Sequence, residues 1–194
     1  LVALVIKVAR FPIVGETVHG QGFFETHGGK GSNMAIQAVR LGAPCTFIGK
    51  VGDDSYGRSF RDLLAAEGVD SRFLDLQKKG VTGKGFVLIG PDGQNMIAID
   101  AGANAHLTPV AVERALSLVP SPTVVLTQLE IPFESALHGM QLARDHGSVT
   151  ILNPAPAMNL KSQRLDSIDI ITPNETEARV CLGLESSDKI NEVE

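Results

Sequence analysis

Short apolar runs alternate with amphipathic stretches along most of the chain. The runs are rich in β-branched residues and carry few polar positions, as expected for strands that are covered on both faces. They predict strands over residues 1–8, 45–51, 123–128, 149–153 and 168–172. Apolar residues at helical spacing predict helices over 32–41 and 54–67, a helix that follows Thr108-Pro109, and a helix from Pro132 to His146. This alternation predicts an α/β fold with a mostly parallel sheet and helices on its faces.

Two segments depart from this alternation. Residues 16–26 have a strand-like pattern that is not followed directly by a helical pattern. Residues 84–90 and 94–100 flank Pro91-Asp92-Gly93, which is typical of a β-hairpin. We therefore expect a small antiparallel element attached to the α/β body. The chain shows no internal repeat and no linker, so a single domain is expected.

Composition narrows the class of protein and of partner. Of the 194 residues, 43% are hydrophobic and 20% charged, which is typical of a globular domain. The net charge of −5 argues against nucleic acid or an acidic membrane as the main partner. No apolar stretch approaches the roughly 18 residues of a membrane span. Two distant cysteines, Cys45 and Cys181, suggest a reducing, cytoplasmic location, and the histidines form no zinc motif.

The run Gly28-Gly29-Lys30-Gly31-Ser32-Asn33 is the sharpest local feature. Glycines let the backbone approach a ligand closely, and the start of the following helix presents unpaired N–H groups. The run matches neither a Walker A loop nor a dinucleotide-binding fingerprint. Lys30 and Asn33 suit a polyhydroxylated ligand. The alternative is a flexible turn in which Ser32 or Asn33 caps the helix.

Polar residues follow several of the predicted strands. Asn174 and Glu177 come after the strand over 168–172, at the edge where open α/β sheets bind ligands, and a carboxylate there could hold Mg²⁺ through water. Their spacing also predicts a capping box at a helix start, and the residues alone favour this interpretation. Glu130 follows another strand and could accept hydrogen bonds from ligand hydroxyls, or it is a solvated charge. Asn153-Pro154 follows a third strand and is interpreted as structural.

Several motifs, in one order along essentially the whole chain, together carry a resemblance. They are Phe11-Pro12 with Gly15-Glu16-Thr17, Gly28 to Asn33 with Arg40-Leu41-Gly42, Gly49 to Asp54 with Gly57, Asp100 to Asn104, Gln128-Leu129-Glu130, Asn153 to Pro156, and Pro173 to Glu177. This set resembles the ribokinase family of sugar kinases, also called the PfkB carbohydrate kinases. The resemblance implies a three-layer parallel sheet with helices on both faces and a small β-sheet lid formed by about residues 10–27 and 84–100. In this family the lid covers the sugar and often makes a dimer contact, so a homodimer through the lid is expected.

The resemblance also implies roles for named residues on the sugar side. The glycine-rich loop would bind the sugar through Gly28, Gly29, Lys30 and Asn33, and Glu130 would hold another hydroxyl. The reaction would transfer the γ-phosphoryl group of ATP to the primary hydroxyl of a pentose, with D-ribose favoured. Positioning and charge stabilisation would supply most of the catalysis.

On the nucleotide side, Asn174 and Glu177 match the family's Asn-x-x-Glu motif, which acts near Mg²⁺ and the nucleotide phosphates. Glu177 would act on the metal through water. The cofactors implied are ATP and Mg²⁺, with a monovalent cation in a full-length protein. Sugar and nucleotide are therefore the expected partners.

Two positions depart from the family pattern. The family has a sugar-binding Asp near the end of its first strand, and Ala3 stands there, which would cost about 1–3 kcal/mol of sugar binding. The family's general base is an Asp in a Gly-Ala-Gly-Asp motif, which this sequence lacks. No catalytic residue is therefore assigned, and we expect a fold truncated at the C-terminus and inactive alone. The alternatives are a non-catalytic sugar-binding remnant, or a fructokinase or nucleoside kinase of the same family.

Overall fold

The computed structural model describes residues 1–184, in two compact units that are treated separately below. The first unit spans Leu1–His106 and the second begins at Leu107. In chain order the first contains β1 (Val2–Val8), β2 (Gly20–His27), α1 (Lys30–Arg40), β3 (Thr46–Gly52), α2 (Ser55–Ala66), β4 (Asp70–Gln77), β5 (Thr82–Ile89), β6 (Asn95–Gly102) and a 3₁₀ turn over Ala103–His106. The second contains α3 (Pro109–Leu116), β7 (Val124–Thr127), α4 (Phe133–Asp145), β8 (Val149–Leu152), β9 (Ile170–Ile171) and α5 (Glu175–Cys181).

A four-stranded sheet in the order β2-β1-β5-β6 forms one part of the first unit. The hairpin expected around Pro91-Asp92-Gly93 is present, because β5 and β6 pair antiparallel. Strand β1 pairs antiparallel with β2 and parallel with β5. The first predicted strand therefore exists, but it lies inside the sheet that contains the hairpin, between the two segments expected to form the lid.

The other part of the first unit is a parallel pair of strands, β3 and β4, with α1 and α2 packed on it. Their apolar faces meet in a buried core of six residues: Ala35, Val51, Phe60, Leu64, Val69 and Leu74. The sequence pattern did not predict β4, because Asp70, Arg72 and Asp75 interrupt its apolar positions. The structure pairs these charges locally: Lys50 of β3 lies opposite Asp75, with Nζ 2.5 Å from Oδ2.

The second unit is built on a three-stranded parallel sheet in the order β7-β8-β9. Helix α4 packs on this sheet, and Met140, Leu152, Leu160 and Cys181 form its buried cluster. Burial raises the pKa of the Cys181 thiol, and the neighbouring charge of Glu177 raises it further. The last predicted strand, over 168–172, contains only the two strand residues Ile170–Ile171.

Helix boundaries agree closely with the sequence prediction. Thr108 caps α3 by accepting a hydrogen bond from the Ala111 N–H, and Asp54 caps α2 through the Gly57 N–H. Pro132 precedes α4, and Gly147 follows it at a φ of 83°, a conformation that suits glycine. The α/β class with parallel strands is confirmed. Within residues 1–184, no helix has the length and apolar character needed to cross a membrane.

Candidate functional site

The glycine-rich loop joins β2 directly to α1. Helix α1 begins at Lys30, and Gly29 occupies the capping position at φ 106° and ψ 132°. No side chain of the described chain caps this helix start. The Ser32 hydroxyl instead lies 2.9 Å from the Gly28 carbonyl and 3.0 Å from that of Gly29, as a donor. The alternative in which Ser32 or Asn33 caps the helix is therefore wrong, because neither side chain caps the first turn of α1.

Gly29 is required by its backbone geometry. Its positive φ lies in the region that L-amino acids with a side chain rarely adopt, so any other residue would be strained. Gly28 donates its N–H to the Leu1 carbonyl at 2.9 Å. A Cβ at Gly28 would lie 3.7 Å from the Cβ of Ala3. The loop is thus fixed against the start of β1, next to the position where the resemblance expects a sugar-binding carboxylate.

Lys30 and Asn33 lie on the first turns of α1. Lys30 is half-buried and Asn33 is exposed. Asn33 also lines an open groove that runs along α1 and α2 to the ion pair between Arg40 and Glu67. The hydrogen bond from Arg40, with Nε 2.8 Å from Oε2, holds the pKa of Glu67 below its ordinary value.

Sequence reasoning missed a contact that fixes the start of β5. The Asp54 carboxylate, besides capping α2, accepts the Thr82 N–H at 2.8 Å and the Thr82 hydroxyl at 2.6 Å. The same hydroxyl accepts the Gly52 N–H at 3.1 Å. Burial alone would raise the pKa of Asp54, but the bonds from Thr82 and Gly57 and the charge of Lys84 hold it below its ordinary value. The Gly-Asp-Asp run at 52–54 was the available signal, but from the sequence it contributed only to the family resemblance and predicted no contact.

In the second unit, polar residues follow all three strands at the same edge of the sheet. Residues 128–130 follow β7, Asn153 follows β8, and Asn174 lies three residues after β9. Asn153 connects the strand ends: its N–H donates to Thr127 O at 2.9 Å, and its Nδ2 donates to Thr172 O at 3.1 Å. These bonds support the structural interpretation of Asn153.

Glu130 is half-buried at this edge, where its own N–H donates to the buried Gln128 side chain. Because the carboxyl ends of parallel strands form the usual ligand-binding edge of an open sheet, Glu130 occupies a suitable position. Its ligand remains a prediction.

Asn174 and Glu177 form the predicted capping box. Asn174 Oδ1 accepts the Glu177 N–H at 2.8 Å, and Glu177 Oε2 accepts the Asn174 N–H at 2.9 Å. Each interaction uses one side-chain atom, so capping does not exclude a ligand on the second atom of either group. No group of three or more His, Cys, Asp or Glu side chains positioned for a metal occurs in residues 1–184. A single carboxylate that contacts a hydrated Mg²⁺ needs no such group.

The structure thus brings Glu130, Asn174 and Glu177 to one sheet edge of the second unit, whereas Gly28, Gly29, Lys30 and Asn33 form the loop of the first. Loop and strand edge are of the kind used by α/β proteins that bind small phosphorylated or polyhydroxylated ligands. Comparison with known proteins identifies the family to which the chain belongs. The model of the pfkB family carbohydrate kinases matches residues 1–194, and the chain belongs to this family.

Relatives and solved structures agree with this assignment. A ribokinase of Haemophilus influenzae is 38% identical over 185 residues, which cover 95% of this chain and 60% of that protein. The structure of ribokinase from Giardia lamblia matches with a TM-score of 0.79 at 30% identity, over 95% of this chain and 58% of that one. Arabidopsis thaliana ribokinase, solved with ribose and ATP, matches with a TM-score of 0.76 at 28% identity, over 96% and 61%. The chain therefore spans about 60% of the length of the relative from Haemophilus influenzae.

Proposed function

We propose that this chain supplies the sugar-binding and phosphate-side residues of an ATP-dependent kinase. This kinase would phosphorylate the primary hydroxyl of a pentose, with D-ribose as the first sugar to test. Family membership supports the reaction class. The observation that carries the proposal is the start of α1, where Gly29 adopts a positive φ and no side chain of the described residues caps the helix. Such a start offers N–H donors to hydroxyl or phosphate oxygens of a ligand.

On the sugar side, Gly28 and Gly29 would let the ligand reach the backbone, because neither carries a side chain. Lys30 would donate to a sugar oxygen as a cation, and Asn33 would both donate and accept. In the second unit, Glu130 is proposed to accept a hydrogen bond from a ligand hydroxyl. The groups of the loop would orient the sugar and exclude water from it, which is the main protein contribution in phosphoryl transfer.

On the nucleotide side, Asn174 and Glu177 are proposed to act near the phosphates. The donor set fits Mg²⁺, which keeps several waters and is commonly held by one or two carboxylates together with substrate phosphates. When bound, the ion would neutralise charge on the transferring phosphoryl group. The capping box would keep the Glu177 carboxylate oriented, because Oε2 accepts the Asn174 N–H and leaves Oε1 to face the ion. A monovalent cation is part of the same proposal for a full-length protein.

The general base is the point on which catalysis by this chain depends. The family's Gly-Ala-Gly-Asp motif does not occur in the 194 residues. We therefore expect the chain alone to bind sugar without turning it over, and a non-catalytic sugar-binding protein is the second candidate function.

The proposal also includes a homodimer formed through the four-stranded sheet and a cytoplasmic location. The four-stranded sheet has two edge strands, β2 and β6, and carries exposed apolar side chains such as Phe86 and Met96. Exposed edges and apolar patches of this kind favour association. Analytical ultracentrifugation of the chain would test the homodimer, and a monomer at all concentrations would contradict it.

Two measurements on the 194-residue chain test the function. Calorimetric titration with D-ribose should show binding that weakens about 10- to 100-fold in Lys30→Ala, because a hydrogen bond to a charged group is lost. Gln37→Ala, about two turns further along α1, serves as the matched control. Absence of any sugar binding would contradict the proposal.

The second measurement is a coupled ATP-to-ADP assay with D-ribose and Mg²⁺. We expect no turnover above background. Sugar-dependent turnover that disappears in Glu177→Ala would show that a carboxylate of this chain replaces the family's base, and would contradict the expected inactivity.

A further inference from the structure

The strand that leads into the glycine-rich loop is held to helix α2 by two side-chain contacts. His27 Nε2 lies 2.7 Å from the Ser59 hydroxyl oxygen. Two residues earlier, Glu25 accepts a hydrogen bond from the Tyr56 hydroxyl at 2.9 Å. Residues 25 and 27 lie on the same side of their strand, and residues 56 and 59 lie on the same side of their helix. We call these two contacts, His27–Ser59 and Glu25–Tyr56, the β2–α2 anchor.

The buried core of the first unit fixes the helix to which the β2–α2 anchor is attached. Phe60, the residue after Ser59, is 2% exposed and belongs to that core. Its ring centroid lies 6.0 Å from the centroid of the His27 imidazole. Tyr56 also contacts β5, because Lys84 Nζ lies 5.8 Å from the centroid of its ring. The end of β2 is therefore connected to a helix that cannot move without disturbing the core.

Only two residues, Gly28 and Gly29, separate His27 from helix α1. A pair of glycines has more backbone freedom than any other pair of residues, so it does not hold its own conformation. On the helix side, the Ser32 hydroxyl bonds to both glycine carbonyls. On the strand side, the Gly28 N–H donates to the Leu1 carbonyl, and the side-chain contact that follows directly is that of His27. The loop is thus positioned by the groups that fix its two ends.

We propose that His27 is a positioning residue for the ligand of the Gly28–Asn33 loop, acting through its contact with Ser59. This inference rests on the proposed binding of a sugar at that loop. With the contact present, the end of β2 holds the loop in one arrangement. Without it, the loop adopts several arrangements, of which only a fraction bind the ligand. The apparent dissociation constant then rises in inverse proportion to that fraction.

Hydrogen exchange of the loop amides tests the positioning without any ligand. Ser59→Ala and His27→Ala each remove one partner of the contact. In both variants the amides of residues 28–33 should exchange about 3- to 10-fold faster than in wild type, because one surface hydrogen bond shifts a local equilibrium by about that factor. His138→Ala is the matched control, since His138 contacts Glu113 at 3.1 Å in the second unit, and it should leave this exchange unchanged. Unchanged exchange in both Ser59→Ala and His27→Ala would overturn the inference.

Calorimetric titration of the same variants with D-ribose tests whether the contact matters to a ligand. Affinity should fall about 3- to 10-fold in His27→Ala and in Ser59→Ala, and it should stay near the wild-type value in His138→Ala. The double variant of His27 and Ser59 should bind about as weakly as either single variant, because both residues belong to one contact. His27→Gln carries an amide that can bond to Ser59 and should bind D-ribose within about twofold of wild type.

The outcomes separate this inference from the proposed function. Faster exchange with unchanged D-ribose affinity would overturn the positioning role and leave the sugar-binding function intact. Additive losses in the double variant, or a His27→Gln variant as weak as His27→Ala, would contradict the assignment to the His27–Ser59 contact. Failure of the wild-type chain to bind D-ribose would overturn the proposed function, and this inference with it.

Discussion

Asp54 and Thr82 form a two-point contact in which one carboxylate accepts both the backbone N–H and the hydroxyl of the threonine, at 2.8 and 2.6 Å. The contact joins the start of α2 to the start of β5, which leads into the hairpin. Thr82 is 1% exposed, so water cannot replace the bonds of its hydroxyl. The position of the hairpin strand is therefore tied to a helix cap.

Removing the Thr82 hydroxyl should destabilise the first unit. Thr82→Val keeps the side-chain shape but leaves Asp54 Oδ1 and the Gly52 N–H each without one partner, which should cost about 1–3 kcal/mol in the free energy of unfolding. Urea unfolding followed by circular dichroism measures the loss. Thr82→Ser keeps the hydroxyl and should lose less. A larger loss in Thr82→Ser than in Thr82→Val would show that the methyl group, not the hydrogen bonds, provides the stability.

The same contact predicts a pH dependence. The pKa of Asp54 is held below its ordinary value of 3.8, chiefly because the Thr82 and Gly57 bonds outweigh the effect of burial. A carboxyl with a depressed pKa contributes stability that is present above the ordinary value and is lost as the pH falls through the folded-state value. The stability difference between wild type and Thr82→Val should therefore shrink as the pH is lowered from neutral to below 3.8. A difference that stays constant over this range would contradict the mechanism.

The sequence predicted most of the fold because hydrophobic period and helix caps are local. Thr108 and Asn174 cap helices as their spacing indicates. Strand β4 was missed because its charges hide the apolar alternation, and they are compatible with a strand only once Lys50 lies opposite Asp75. Local pattern could not supply that long-range pairing.

The candidate site was predicted unevenly for the same reason. The Gly28–Asn33 loop was found because glycines before a helix are a local signal, whereas the uncapped helix start became evident only when Ser32 was found to bond backwards to Gly28 and Gly29. The side of the sheet on which Ala3 lies could not be predicted either, because it depends on strand register. A shift of one residue in β1 would turn Ala3 away from the loop.

Close packing at Gly57 gives a further stability prediction. A Cβ there would overlap the Gly52 carbonyl oxygen and lie 3.0 Å from Thr82 Oγ1. Gly57→Ala should therefore destabilise the protein by about 3 kcal/mol, although alanine is the better helix former. Gly85→Ala is the matched control, since open space surrounds that position, and its unfolding midpoint should change little. Similar midpoints for both variants would contradict the packing argument.

The capping box allows the structural and ligand roles of Glu177 to be separated. Glu177→Gln removes the charge but keeps an acceptor for the Asn174 N–H, as capping boxes accept glutamine at this position. Glu177→Ala removes both and should cost about 1 kcal/mol of stability. Chemical unfolding should therefore distinguish alanine from wild type while glutamine behaves nearly as wild type.

Binding of MgATP should respond to the same two variants differently from stability. If the Glu177 carboxylate acts on hydrated Mg²⁺, titration of the chain with MgATP should be weakened by glutamine as strongly as by alanine, because both variants lack the charge. Glu175→Gln, on the first turn of the same helix, controls for general loss of negative charge near the phosphates. Full MgATP binding by Glu177→Gln would mean that Glu177 acts only as a helix cap. The metal contact would then have to be sought elsewhere at the carboxyl edge of β7, β8 and β9.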